Sequence, residues 1–157
     1  MKRLKSTKEH IVLQLGLQEK LLLVQILDLY PRIPAAYQPL SKSAGLEPSN
    51  QRLLEEALAE QRVENKKSLT AILSDSKKFS VNQSGWVLSL TVGEMEQLLK
   101  VLNDIRVGSW LSLGSPELSV LPLNKQTSPD FWAMEMAGLF QMSFLEAMYE
   151  GGRLGHE

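Results

Sequence analysis

The sequence predicts a mainly α domain of the α+β class, in which a bundle of four principal helices carries a small two- or three-stranded antiparallel β element. Apolar residues recur at helical spacing in four segments, and the clearest of these segments begin with capping residues. Shorter segments alternate apolar and polar residues, as strands do. A chain of 157 residues can bury a core without metals or disulfides, so we expect one domain over residues 1–157.

The first third of the chain predicts a strand followed by a helix. Residues 1–9 are rich in lysine and precede the first apolar run, so we expect a flexible basic arm. Residues 11–15 alternate as in a strand, and residues 17–30 place apolar side chains on one helical face until Pro31 ends the helix. Residues 31–48 contain four of the seven prolines and predict a long surface connection.

The middle of the chain predicts a long helix and a β-hairpin. Ser49 can cap a helix that runs to about residue 74. Polar residues interrupt its apolar stripe, so either the helix is partly exposed there or a polar layer crosses the bundle. Residues 79–81 and 86–90 then alternate on either side of a turn-like NQSG, which predicts a hairpin that the first strand can join.

Residues 91–114 carry the clearest helix signal. Thr91 followed by Glu94 fits a capping box, in which both side chains bond backbone N–H groups of the first turn. An apolar stripe follows, but Arg106 falls about 40° from Leu102 and so lies within that stripe. Because a guanidinium keeps its charge in a protein, a covered Arg106 would need a carboxylate or several carbonyl partners.

The last predicted helix is apolar nearly all round. Ser128 and Pro129 give it a good start, and Gly151 and Gly152 give it a good end. Its acidic residues make it a poor membrane span, so we expect either the centre of the bundle or a helix whose second face is a homodimer interface. The candidate interface residues are Phe131, Met134, Met142, Leu145 and Tyr149. Residues 153–157 are expected to form a flexible tail.

A set of polar residues on three predicted helices forms the candidate binding cluster. We expect a buried network that fixes how the helices pair, and a ligand pocket is the alternative. In a buried network, Arg106→Ala should cost a few kcal/mol because a carboxylate would lose its partner. The members of the cluster are Arg62, Asn65, Asn103, Arg106, Glu135 and Glu146.

Composition and motifs disfavour several classes of function. A formal net charge of −1 suggests no nucleic-acid partner, and no apolar run is uninterrupted enough for a signal peptide or membrane span. The absence of cysteine excludes disulfides and thiolate chemistry. His10 and His156 lack metal-site spacing, and no phosphate-binding glycine loop occurs. We therefore expect a cytoplasmic protein with no metal, no cofactor, no catalytic residues, and no membrane or nucleic-acid partner.

The segment LTVGEMEQLLKVLNDIRVGSWLSLG, residues 90–114, combines an acidic helix start, a Leu-Asn-Asp-x-Arg core and a glycine-containing turn. Over residues 90–117, and again over residues 131–151, the chain resembles a family of uncharacterised bacterial domains, mainly actinobacterial. The resemblance implies no established activity, although the family's genes often lie beside the ClpS adaptor of the Clp protease system. Its motif residues correspond to Asn103, Asp104 and Arg106, with no catalytic role, and the last helix here is richer in Met and Phe than the family's.

The sequence therefore favours a non-catalytic protein-interaction or regulatory domain, connected to Clp-dependent protein turnover through the resemblance alone. Its partner would be another protein or a second copy of the chain. The alternative is a small-molecule-binding protein or an enzyme that uses a polar site around Arg106 and Glu135. A pocket that opens onto these side chains, together with a ligand that shifts the melting temperature, would favour the alternative.

Overall fold

The computed structural model describes residues 1–33, 48–114 and 128–154, with side chains through residue 149. This part of the chain contains four strands and four helices, which confirms the mixed α+β class. In chain order the elements are β1 Lys2–Ser6, β2 His10–Leu15, α1 Leu17–Leu27, α2 Pro48–Ser74, β3 Phe79–Asn82, β4 Gly85–Thr91, α3 Val92–Ser112 and α4 Ser128–Leu154. The predicted connections over 34–47 and 115–127, and residues 155–157 of the predicted tail, lie outside the described residues. Residues 153 and 154 of that tail are the last residues of α4, so the prediction that the helix ends at Gly151 and Gly152 is wrong.

The four strands form one antiparallel sheet in the order β1-β2-β4-β3. The predicted hairpin of β3 and β4 is confirmed, and β2 joins it by pairing along β4. Two predictions are corrected by β1: the sheet has four strands instead of two or three, and residues 2–6 are a strand instead of a flexible arm. Charged side chains hide the alternation in β1, and lysines on an edge strand such as this one discourage pairing with other chains.

The core lies between the sheet and three helices. Ile11, Leu13 and Leu15 of β2 are almost fully buried, as their neighbours Leu88 and Leu90 in β4 are. Alternate residues of a strand share one face, so these five side chains form a continuous apolar surface. Helices α1, α3 and α4 contact this sheet and one another. Their buried residues are Leu23, Ile26, Leu27, Met95, Leu98, Val101, Leu102, Ile105, Ala133, Met134, Ala137, Phe140, Phe144 and Ala147, with the small Gly108 and Ser109.

Helix α2 joins this packing through its C-terminal part. Leu69 and Ile72 are its buried residues, and it contacts α3 and β3. Gln61 and Val63, in the middle of the helix, are exposed. Of the two alternatives for its interrupted stripe, exposure therefore applies to Gln61, whereas Arg62 and Asn65 are half-buried.

The start of α3 is fixed by the predicted capping box. The backbone N–H of Glu94 donates to Thr91 Oγ1 at 3.1 Å, and the backbone N–H of Thr91 donates to Glu94 Oε1 at 3.0 Å. Lys78, just before β3, donates to the same Glu94 carboxylate. Burial opposes ionisation of Glu94, but these hydrogen bonds outweigh it, so the pKa of Glu94 lies below its ordinary value of 4.5. The cap and the ion pair therefore join α3 to the sheet.

Candidate functional site

Helix α4 presents large apolar side chains on the face that points away from the core. Leu139, Met142 and Leu145 are 53%, 59% and 51% exposed, and Tyr149 and Trp132 lie on the same side. Steps of three, four or seven residues keep these positions on one helical face. We call Trp132, Leu139, Met142, Leu145 and Tyr149 the outer stripe.

A groove of about 530 Å³ runs along this stripe. Its lining combines Leu139, Met142 and Leu145 with the charged side chains of Arg106, Glu135 and Glu146. Gly138 also lines the groove. A Cβ atom at this position would be 3.6 Å from Arg106 Cδ. The Arg106 side chain of α3 therefore lies across α4 at Gly138, where it forms one wall of the groove.

The three charged groups of the groove are open to solvent. Arg106 Nη2 donates to Asn103 Oδ1 at 3.0 Å, one helical turn earlier. Arg106, Glu135 and Glu146 are all exposed, and no ion pair joins them among the described contacts. The guanidinium and the two carboxylates of this mainly apolar groove can therefore bind charged groups of another molecule.

The structure does not bring the six candidate cluster residues into one buried layer. Arg106, Glu135 and Glu146 line the groove just described. Asn103 is not among its lining residues, but its side chain accepts a hydrogen bond from Arg106. Because Arg106 is exposed, Arg106→Ala should change the free energy of unfolding by less than about 0.5 kcal/mol. Thermal melts measure this change. The value replaces the larger loss that was expected for a buried network.

The other two members of that cluster lie in a separate cavity. Arg62 and Asn65 of α2 line about 210 Å³ with Lys100 and Asp104 of α3. Asn65 Nδ2 donates to the Tyr30 hydroxyl at 3.2 Å. This contact links α2 to the end of the α1 segment, so Asn65 has a structural partner.

The candidate interface is only partly on the exposed side of α4. Met142, Leu145 and Tyr149 belong to the outer stripe, as predicted. Phe131 is half-buried and Met134 is only 7% exposed. Met134 lies one turn before Ala137, on the flank of the helix that packs into the core, so it cannot contribute a free surface.

A polar site that the sequence did not reveal centres on Arg32. Asp104 Oδ1 accepts hydrogen bonds from the backbone N–H groups of Arg32 at 2.7 Å and Ile33 at 3.2 Å. Arg32 Nη1 donates to Ser109 Oγ at 3.1 Å and to Asp130 Oδ1 at 2.5 Å. These four residues and Ile33, which we call the Arg32 node, join the segment after α1 to α3 and α4.

Gly108 makes the Arg32 node possible. A Cβ atom on Gly108 would be 2.5 Å from the carbonyl carbon of Arg32 and 2.7 Å from the backbone nitrogen of Ile33, closer than such atoms can approach. The adjacent small residues Gly108 and Ser109 in this amphipathic helix were the available sequence signal, because small residues permit close backbone approach. The Arg32 node contains no exposed nucleophile. Its hydrogen bonds hold the segment after α1 against α3 and α4, so we assign it a structural role.

The outer face of the sheet carries a histidine-serine contact that sequence spacing could not show. His10 Nε2 lies 3.0 Å from Ser89 Oγ, across β2 and β4. A serine nucleophile also needs an orienting group for the histidine and donors for an oxyanion. The described contacts of the His10 ring include no carboxylate, so we assign this pair to the sheet surface.

The described residues include no candidate metal site and no candidate membrane-spanning helix. Among residues 1–33, 48–114 and 128–154, no group of three or more His, Asp or Glu side chains could hold a metal ion. Within the same ranges, no helix combines the length and apolar character needed to cross a membrane.

Three comparisons with known proteins found no match to this chain. No protein-family model, no curated protein and no solved structure matches it. The resemblance of residues 90–117 to an actinobacterial domain family therefore stays a prediction.

Proposed function

We propose that this protein is a non-catalytic interaction domain that binds a protein partner through the outer stripe of α4. The observation that carries this proposal is the exposure of Leu139, Met142 and Leu145 side by side on a well-packed helix. Contiguous exposed apolar surface rimmed by polar groups is typical of interaction sites. Removing such side chains from water favours a complex by about 25 cal/mol per Å² of apolar surface, and the entropy lost on association opposes this gain.

The chemistry of the groove favours binding over catalysis. Its charged groups are one guanidinium and two carboxylates, all exposed. Catalytic acids and bases generally work in sites that exclude water, and an open groove on a helix surface does not exclude it. Apolar contacts at the centre with charges at the rim are instead the usual arrangement of an interface.

A connection to Clp-dependent protein turnover is part of the same proposal, and it rests only on the family resemblance of residues 90–117 and 131–151. Binding of the purified protein to ClpS, measured by titration calorimetry, tests it directly. Loss of that binding in Met142→Glu would place the contact on the outer stripe, whereas no binding by the unaltered protein would remove the connection.

Site-specific photocrosslinking tests the proposed interaction surface. A photoreactive amino acid replaces Met142 in the outer stripe or, as the control, Val63 of α2, which is 54% exposed. In cells that naturally contain the protein, we expect discrete crosslinked protein products from position 142 and none from position 63. The absence of products at position 142, or equal products at both positions, would overturn the proposal.

A small-molecule ligand is the second candidate function, because the groove volume of about 530 Å³ lies in the range of ligand pockets. Arg106 would bind an anionic group and Leu139 and Met142 an apolar body. A ligand screen read by melting temperature tests this function. A ligand that stabilises the unaltered protein but not Arg106→Ala would support it.

A further inference from the structure

We propose that the partner of the outer stripe is a second copy of this chain, with the two α4 helices antiparallel, crossing near Met142, and Arg106 of each copy paired with Glu146 of the partner subunit. This inference rests on the proposed function, because it names the occupant of the same surface. Two features of α4 support it: the near-symmetric order of its exposed residues and the placement of its charges.

The exposed residues of α4 are arranged almost symmetrically about Met142. Leu139 and Leu145 lie three residues to either side, and Gly138 and Glu146 lie four residues to either side. In an antiparallel pair with a two-fold axis at Met142, Leu139 of each copy faces the partner's Leu145. An interface of this kind must be self-complementary, and this order of residues meets that condition.

The charges of the groove select the antiparallel direction. Arg106 lies across Gly138, which in the antiparallel pair is directly opposite the partner's Glu146. The two-fold axis repeats this pairing, so each dimer gains two ion pairs of opposite charge. In a parallel pair, Glu146 would face the partner's Glu146 at the same level, and like charges would repel.

The same charges also select the register. If the two-fold axis moved one helical turn toward the N-terminus, to Gly138 and Leu139, Glu135 would face the apolar side chain of the partner's Met142. If the axis moved one turn toward the C-terminus, Glu146 would face the partner's Leu145. Both shifts cover a carboxylate with apolar groups and lose the pairing with Arg106. The axis at Met142 keeps the pairing with Arg106, and it places Glu135 opposite the partner's Tyr149, whose hydroxyl group can donate to a carboxylate.

Reciprocal charge reversal tests the pairing. Sedimentation equilibrium of the full chain should show a reversible monomer–dimer equilibrium in the micromolar range, since one helix face makes a small interface. Arg106→Glu alone and Glu146→Arg alone should each raise the dissociation constant about tenfold, because two attractive pairs become repulsive. The double variant restores opposite charges and should return the dissociation constant to within about threefold of the original.

The controls separate this pairing from general effects of charge. Glu96→Arg reverses an exposed charge that lies about 15 Å along α3 from Arg106, and it should leave the dissociation constant unchanged. Unchanged melting temperatures of all variants show that the fold is intact. Single reversals without effect, or a double variant weaker than either single one, would overturn the pairing.

Crosslinking of single cysteines tests direction and register independently, because the natural chain has no cysteine. Met142→Cys lies at the two-fold axis, so a short bismaleimide should link two copies. Glu135→Cys should not be linked, since the two copies of position 135 would be about 21 Å apart along the antiparallel helices. Efficient linking through position 135 would identify a parallel pair and overturn the inference.

Failure of this inference and failure of the proposed function give different results. A chain that remains monomeric at high micromolar concentration overturns the homodimer. If photocrosslinking at position 142 then yields a different protein, the interaction function stands with another partner. If position 142 yields no protein product, the proposed function fails as well.

Discussion

Helices α2 and α4 have the same length, 27 residues, but packing supports them very differently. Helix α2 buries Leu69 and Ile72 near its C-terminal end, and Leu53 in its first half is 63% exposed. Helix α4 buries side chains from Ala133 to Ala147 and still exposes the outer stripe on its opposite face. The length of a helix therefore does not show how much of the fold depends on it.

The sequences of the two helices explain the difference. Helix α2 consists largely of Leu, Glu, Ala, Gln, Arg and Lys, which favour the helix intrinsically, so its exposed part is stabilised locally. Helix α4 contains Phe, Trp and internal Gly, which favour the helix less. We infer that changes in the exposed part of α2 act locally, whereas changes on the buried face of α4 affect the whole domain.

The largest expected effect tests this contrast at one buried and one exposed position. Phe144 of α4 is fully buried, so Phe144→Ala should reduce the free energy of unfolding by about 3–5 kcal/mol. Leu53→Ala on α2 should change it by less than about 0.5 kcal/mol. Urea unfolding of both variants measures the difference, and comparable losses would show that α2 is as integral to the core as α4.

A second test measures whether the close contact between Gly108 and the backbone of Arg32 tolerates an added methyl group. Gly108→Ala places a methyl group 2.5 Å from the carbonyl carbon of Arg32 and should cost about 1–3 kcal/mol. Gly93→Ala is the matched control in the same helix, because the nearest atom to its Cβ is 4.0 Å away. Alanine there should be neutral or stabilising by up to about 1 kcal/mol. Equal melting temperatures for the two variants would mean that the segment after α1 does not pack on Gly108.

Local signals in the sequence were sufficient for several parts of this fold. The capping box at Thr91 and Glu94, the hairpin around NQSG and the start of α4 at Ser128 all depend on residues close together in the chain. Such features need no knowledge of distant contacts. Strand β1 was missed because its charged side chains carry no alternation, and only its pairing with β2 makes it a strand.

The candidate site was harder to predict because it depends on tertiary contacts. A helical angle placed Arg106 in the apolar stripe, but Arg106 lies at the edge of the buried face, where Gly138 of α4 leaves room for the side chain to reach solvent. The Arg32 node joins residues 71 to 98 positions apart in sequence. No local pattern indicates such a pairing.

A third test compares the ion pair that anchors α4 with one on the surface of α2. The side chains of Arg32 and Asp130 are 25% and 24% exposed, and a double-mutant cycle of the two alanine variants should give a coupling energy of about 1 kcal/mol. The cycle cancels the separate effect of removing an acidic residue from the first turn of α4. The same cycle for Glu64 and Lys67, which are 73% and 71% exposed and 3.7 Å apart, should give a value indistinguishable from zero. A larger coupling on α2 would reverse the comparison.

The smallest expected effect concerns pH, and it contrasts Glu94 at the start of α3 with Glu64 on α2. Burial opposes the charge of Glu94, but its hydrogen bonds with Lys78 and Thr91 hold the pKa below the ordinary value of 4.5. A carboxylate with a lowered pKa stabilises the folded state fully above its unfolded pKa, and the stabilisation is lost as the pH falls through the folded pKa.

Glu94→Gln isolates this charge, because glutamine can still complete the capping box while losing the ion pair with Lys78. The stability difference between the unaltered protein and Glu94→Gln should therefore be largest near neutral pH and should shrink as the pH falls below 4.5. Glu64→Gln removes an ion pair between side chains that are 73% and 71% exposed, and it should leave the free energy of unfolding within about 0.5 kcal/mol of that of the unaltered protein. Urea unfolding at a series of pH values measures both. A difference for Glu94→Gln that grows on acidification would mean that burial, and not the hydrogen bonds, controls the carboxylate at the start of α3.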